Sequence, residues 1–226
     1  MRRRRARFNL GPAPACYVAG VPSSPPPARA RPIRGRRAER CPGCWLPTVL
    51  CLCAELPRLA VRTRVVVVMH RGEAVTSTNT GRLAARVLEG ASVRVRGLVD
   101  GRAPEPIPEG RRLVLFPQAD ARVLGAADAT GEPVVLLVPD GTWSQARRLL
   151  RRDDDFDGAE PVTLPVAAPS RYRLRRHPLA GALCTLEAIA QALAVLEGPD
   201  VEERLMVVLD HFVERALQAR TGPRRG

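Results

Sequence analysis

The chain contains no lysine. All 36 of its basic residues are arginine, so every permanent positive side-chain charge is a planar guanidinium, the group that binds carboxylate and phosphate bidentately. Long apolar runs are also missing. None approaches the roughly 20 residues a membrane-spanning helix needs, which excludes a helical span. No internal repeat is visible, which excludes a solenoid or array. The opening MRRRR lacks the clean apolar segment of an export leader, because Gly11, Pro12 and Pro14 interrupt the mildly apolar stretch behind it. A cytoplasmic protein is expected. Aromatic residues make up only 4% of the chain, so the few that sit beside polar motifs stand out.

Hydrophobic residues supply 45% of the 226 positions, enough for one sizeable domain or a domain with a small appendage. The net charge is +13, unevenly placed: residues 1–40 hold 11 arginines against the single acid Glu39, leaving about +3 for everything after them. Residues 1–38 are rich in Arg, Pro and Ala and bury too little apolar surface to offset ordering entropy, so a disordered basic tail is expected. Such a tail suits nucleic-acid phosphates; a solvated low-complexity leader has the same composition.

Four of the six cysteines fall between positions 41 and 53. Cys41, Cys44, Cys51 and Cys53 form C-x2-C-x6-C-x-C, which suits a tetrahedral structural zinc in a small knuckle over residues 39–58. A C-x-C half is less usual than C-x2-C, and reduced unliganded thiols or a redox site are the alternatives. Four thiolates would close the coordination sphere, which argues against catalytic zinc.

From Val61 strands and helices alternate. Arg64–Met69 reads as a buried strand ending at His70; a helix is expected over Arg82–Glu89, and a strand over Val93–Arg96. Residues 100–110 form a Pro/Gly loop, Leu113–Phe116 a strand closed by Pro117, and Asp120–Ala127 a helix. Val134–Val138 is a strand buried on both faces, stopped by Pro139, Asp140 and Gly141. Thr142 and Gln145 have capping-box spacing, so a helix starts at once. Asp153–Asp155 reads as a solvated turn. Further helices cover Thr185–Leu196 and Val201–Ala219. This alternation implies a mostly parallel α/β sheet over residues 59–226.

Asp140 and Trp143 sit where open α/β sheets place ligands, at the carboxyl end of a central strand; a capped turn with a core tryptophan is the structural alternative. The loop Ser170–Pro178 is basic with Tyr172 inside it, a pattern for phosphate contacts and base stacking or for an ordinary arginine-rich surface.

Taken together, CPGCWLPTVLCLC, the His70/Glu73 segment, STNTGRL, Phe116-Pro117, Asp140-Gly141-Thr142-Trp143, SRYRLRRHP and LCTLEAIAQAL resemble, in order and spacing, the DTW-domain family of tRNA-uridine aminocarboxypropyltransferases. The resemblance spans about residues 40–215. It implies a SPOUT-like α/β fold with a C-terminal trefoil knot, and transfer of the 3-amino-3-carboxypropyl group from S-adenosylmethionine to N3 of a tRNA uridine. It places donor binding on Asn79, Thr80, Gly81, Phe116, Pro117, Asp140, Gly141, Thr142, Trp143, Cys184, Thr185 and Glu187. Asp140 is the expected proton acceptor or base-orienting group, and Trp143 the flat partner for a base or the sulfonium. Arg147, Arg171, Tyr172, Arg173 and Arg175 are the expected RNA contacts. Cys184 replaces the family's serine, which weakens that helix cap and leaves Thr185 to take it over. His177 and His211 read as surface or packing residues. A SPOUT-type RNA methyltransferase and a non-catalytic zinc-containing RNA-binding module are the competing readings, and monomer and homodimer both stay open.

Overall fold

Two aliphatic runs without polar alternation form the middle of the sheet. Strands β1 (Arg64–His70) and β5 (Val134–Asp140) pair in parallel, with Val67 opposite Val138 and Met69 opposite Asp140. The computed structural model describes residues 39–97, 106–165, 169–175 and 182–221. The expected tail at 1–38 and His177 lie outside the described residues.

Around this pair stand β2 (Ser92–Arg96), β3 (Arg111–Leu115), β4 (Arg122–Val123) and β6 (Glu160–Thr163), in the order β2-β1-β5-β3-β6-β4. Every pairing is parallel, so neighbouring strands are joined by crossovers rather than tight hairpins. Helices α1 (Arg71–Ala74) and α2 (Gly81–Val87) lie between β1 and β2 and α3 (Trp143–Arg152) between β5 and β6, while α4 (Thr185–Glu197) and α5 (Pro199–Thr221) follow the last strand. The strand pairings do not show the knot.

Because side chains alternate along a strand, the two central strands serve two layers. Val65, Val67, Met69, Leu136 and Val138 pack with Leu83 of α2, Ile189 and Leu193 of α4, and Phe212 of α5. Val66, Val68, Val135 and Leu137 face the other way, onto Leu149 of α3 and Phe156. The α4–α5 hairpin turns on Gly198 at φ +109°, a conformation L side chains rarely adopt, and Pro199 then opens α5. Cys41, Cys44, Leu46 and Leu52 of the knuckle lie in the same buried cluster as the sheet. Arg215 of α5 ties the knuckle down through the Cys51 carbonyl (2.7 Å) and Glu55 (2.6 Å).

Three sequence readings are corrected. β5 runs on through Pro139 and Asp140 rather than stopping at Val138. The expected helix at Asp120–Ala127 is instead β4 and a short 3-10 helix, Ala126–Ala129. Gly125 breaks it, and Arg122 is drawn into ion pairs with Asp128 and Glu160 at the sheet edge. The turn at Asp153–Asp155 is not solvated throughout. Asp155 is buried and receives Arg94 bidentately, at 2.6 and 2.8 Å, with Arg96 on the same carboxylate. His211 is exposed on α5, as expected of a surface residue.

Removing one partner of a buried ion pair strands the other charge. Asp155→Ala should therefore cost about 3 kcal/mol in urea unfolding; a change within about 0.5 kcal/mol would mean the turn is solvated after all.

Candidate active site at the carboxyl ends of the central strands

Alternation along β5 sends Val134, Leu136 and Val138 toward α4, and Asp140 lies on the same side. Its carboxylate is only 4% exposed. One oxygen, Oδ2, accepts from Asn79 Nδ2 and the other, Oδ1, from the Thr185 hydroxyl, each at 2.5 Å. Asn79 precedes α2 and Thr185 is the first residue of α4, so one side chain joins a strand end to two helix starts. A Cβ on Gly81 would stand 2.8 Å from Oδ2; only glycine lets the α2 backbone approach this closely.

A second buried carboxylate completes the cluster. Asn79 Nδ2 also donates to Glu73 Oε2 at 3.2 Å. Glu73 receives Arg175 on both oxygens, at 3.2 and 2.8 Å, while Arg175 Nε donates to Thr78 Oγ1 at 2.9 Å. Burial, chiefly, raises the pKa of Asp140, and the negative charge of Glu73 adds to the rise. The bonds from Thr185 and Asn79 and the charge of Arg175 pull it part of the way back.

The loop between α1 and α2 is held by Arg82. Its Nη2 donates to the carbonyls of Ala74 (2.9 Å) and Glu73 (3.2 Å), and its guanidinium lies 4.8 Å from the Trp45 ring centroid. Trp45 comes directly after Cys44 in the knuckle and adopts φ +61°. The knuckle thus presses on the arginine that shapes the carboxylate loop.

Next to Asp140 the chain turns at Gly141 and Thr142. The expected capping box is present: Gln145 N–H donates to Thr142 Oγ1 (3.3 Å) and Gln145 Oε1 accepts from Thr142 N–H (2.8 Å). Trp143 is half-buried and meets Phe116 at 5.4 Å between ring centroids, tilted by 58°; Pro117 is exposed beside them. His70 caps α1 by accepting Gly72 N–H at Nδ1 (3.1 Å), near Gly141.

Several expected residues hold the frame rather than face an opening. Glu187 is 1% exposed and accepts the Cys184 N–H (2.8 Å), the Ser170 hydroxyl (2.8 Å) and the Arg171 N–H (2.6 Å). Cys184 sits at the N-cap of α4 and burial pushes its thiol pKa up. The Thr185 hydroxyl goes to Asp140, so it does not take over the cap, which stays with the Cys184–Glu187 box. Thr80 Oγ1 accepts the Leu186 N–H at 3.3 Å. Tyr172 is 5% exposed, with its hydroxyl donated to the Thr78 carbonyl; burial raises its pKa to about 12. Its ring is therefore not presented for stacking on a base. Arg175 is spent on Glu73, and Arg171 pairs with Asp210. Arg147 and Arg173 are exposed.

The functional residues that sequence reasoning left out of the site are Glu73 and Arg82. Glu73 belonged to a recognised segment, but its partner Arg175 is 102 positions away, beyond any local spacing rule. Arg82 reads as an ordinary early-helix arginine unless the Trp45 contact is known.

Cys41, Cys44, Cys51 and Cys53 bring their sulfurs within 4.8 Å of one another as free thiols. Separations of 3.3, 3.6 and 3.9 Å bracket the roughly 3.8 Å of two thiolates on tetrahedral zinc with Zn–S near 2.3 Å. The donor set and its spacing fit a closed structural site.

A family model described as DTW domain matches residues 38–217. The chain is 30% identical to tRNA-uridine aminocarboxypropyltransferase 2 of Drosophila melanogaster, over 84% of this chain and 76% of that protein. It is likewise 30% identical to the Macaca fascicularis protein of the same name, over 95% of this chain and 77% of the relative. Among solved structures it is similar to the SAM-dependent rRNA:acp-transferase Tsr3 of Vulcanisaeta distributa, with 15% identity and a TM-score of 0.47, over 71% of this chain and 80% of that one.

The carboxylate cluster and the thiols each set an outcome. Asp140 has a native pKa above its unfolded value, so the folded state holds the proton more tightly. Its contribution to stability falls as pH rises out of the carboxylate range. Asp140→Asn removes that loss, so its melting temperature should gain on the wild type as pH rises from the ordinary carboxylate range toward neutrality. A constant difference would show that Asp140 titrates alike in both states. Cys44→Ser should lose bound metal by elemental analysis and lower the melting temperature; a metal-free wild type that is folded and equally stable would contradict the structural site.

Proposed function

The chain belongs to the DTW domain family, and on that premise we propose that it transfers the 3-amino-3-carboxypropyl group of S-adenosylmethionine to N3 of a uridine in tRNA. Methylthioadenosine is the co-product. The observation that carries this reading is the buried Asp140 carboxylate, bonded to Asn79 and Thr185 beside the Phe116–Trp143 pair at the end of β5.

The residues present fit such a donor. Trp143 against Phe116 offers a flat apolar surface for a base and a π-face for a sulfonium cation. S-adenosylmethionine, when bound, supplies an activated γ-carbon on a good leaving group, so positioning carries most of the rate. Uridine N3 must lose its proton to attack; the new N–C bond forms as the C–S bond breaks, its electron pair returning to sulfur. Asp140 is the acceptor for that proton, because burial strengthens its hold on one. Asn79 and Thr185 keep the carboxylate in place, and Glu73 with Arg175 holds Asn79 from behind. Cys41, Cys44, Cys51 and Cys53 would hold zinc as a closed structural site, and the turn they fix is the one that sets Trp45 against Arg82.

The RNA partner accounts for the arginine surplus of the first 40 residues. Among the described residues no helix is long and apolar enough to cross a membrane, and a tRNA substrate accords with a cytoplasmic protein.

With purified protein, tRNA and S-adenosylmethionine, chromatography of the released nucleoside should show methylthioadenosine. S-adenosylhomocysteine in its place would make the enzyme a methyltransferase. Asp140→Asn should bind tRNA as the wild type does yet lose at least about 100-fold in rate; equal turnover would remove Asp140 from the mechanism.

A further inference from the structure

We propose that the outward face of α3 is the docking surface for the phosphate backbone of the RNA substrate, an inference that rests on the function proposed above. Helix α3 begins three residues after Asp140; Ala146 and Leu149 are buried, Leu149 against the sheet. Its opposite side carries Ser144, Arg147, Arg148, Arg151 and Arg152, all exposed. At 100° per residue the four arginines share one arc of the helix. Their rows, 147/151 and 148/152, repeat at about 6 Å along an axis about 15 Å long. The row therefore starts at the candidate active site and leads away from it.

What singles this face out is that four arginines without a counter-charge stand together on one helix. α3 contains no acid, and none of these four arginines has a hydrogen-bond or ion-pair partner among the described residues. Elsewhere Arg94, Arg111, Arg122, Arg175 and Arg215 each have a carboxylate. The nearest acids past the helix end are already committed in part: Asp153 pairs with Arg96 and Asp155 with Arg94 and Arg96, which leaves Asp154 as the exposed acid of that turn.

A merely solvated helix face mixes signs, because like charges at i and i+4 destabilise the helix. Here both i, i+4 pairs are Arg–Arg. The helix dipole favours Arg151 and Arg152 in the last turn but does nothing for Arg147 and Arg148 in the middle. A polyanion relieves all four at once, and guanidinium groups bind phosphate oxygens in pairs. Such contacts set the register of the RNA without reading its sequence, which is the role a rail beside a uridine pocket requires.

The test uses the full chain carrying Arg148→Gln, Arg151→Gln and Arg152→Gln together, which leaves Asp140 and Trp143 untouched. Affinity for tRNA, measured by anisotropy across a salt series, should fall roughly tenfold or more, and the slope of log K against log salt should flatten by about 2. Donor affinity and kcat at saturating tRNA should stay at wild-type values, so the loss appears in KM. The triple Arg→Lys variant, which keeps the charge, should restore most of the slope. Wild-type affinity and slope in a triple-Gln variant with an unchanged melting temperature would overturn the proposal. So would a variant that loses binding only to anionic lipid vesicles. A wild type that releases no methylthioadenosine with tRNA overturns the parent function and this proposal together; turnover by the wild type with unaltered variants overturns this proposal alone.

Discussion

Asp140 and Glu73 share the amide of Asn79, and both carboxylates are nearly out of water. Burying one charge costs several kcal/mol unless it is paired and hydrogen-bonded; here two lie side by side. The surrounding chain is arranged to offset that cost. Thr185 at the start of α4, Arg175 from the loop after β6, and Arg82 on the backbone of the Glu73 loop all converge on the pair. These groups come from segments far apart in the chain, so the cluster can form only when the sheet and both helix starts are in place. Geometry at this point is fixed by electrostatics.

The knuckle belongs to the same device. Its apolar residues lie in the main core, and its tryptophan covers the guanidinium that hydrogen-bonds the carbonyls of Glu73 and Ala74. A metal held by the four cysteines would set the backbone at Cys44 and therefore the place of Trp45. Metal binding there would reach the carboxylate loop through the Trp45–Arg82 cation–π contact.

Local pattern made much of this readable. The aliphatic runs of β1 and β5, the Thr142/Gln145 box and the cysteine spacing each declare themselves within a dozen residues, and Asp140 at a strand end can be placed from them. What stayed hidden depends on partners distant in sequence. Asp155 looks solvated until Arg94 arrives from 61 positions away, and Tyr172 looks like a stacking platform until its hydroxyl reaches Thr78, 94 positions away. β6 is short and carries Pro161, and β4 spans two residues; neither has a periodicity to detect. The resemblance to the DTW-domain family placed Asn79, Asp140 and Thr185 in one site before any contact was known. Their hydrogen bonds explain why those residue types occur there.

The most direct test of the account is mass spectrometry of nucleosides digested from tRNA after incubation with the full chain and S-adenosylmethionine. Uridine bearing the 3-amino-3-carboxypropyl group on N3 is the predicted product. Methylated uridine, or tRNA that is bound by the protein but returned unmodified, would contradict it.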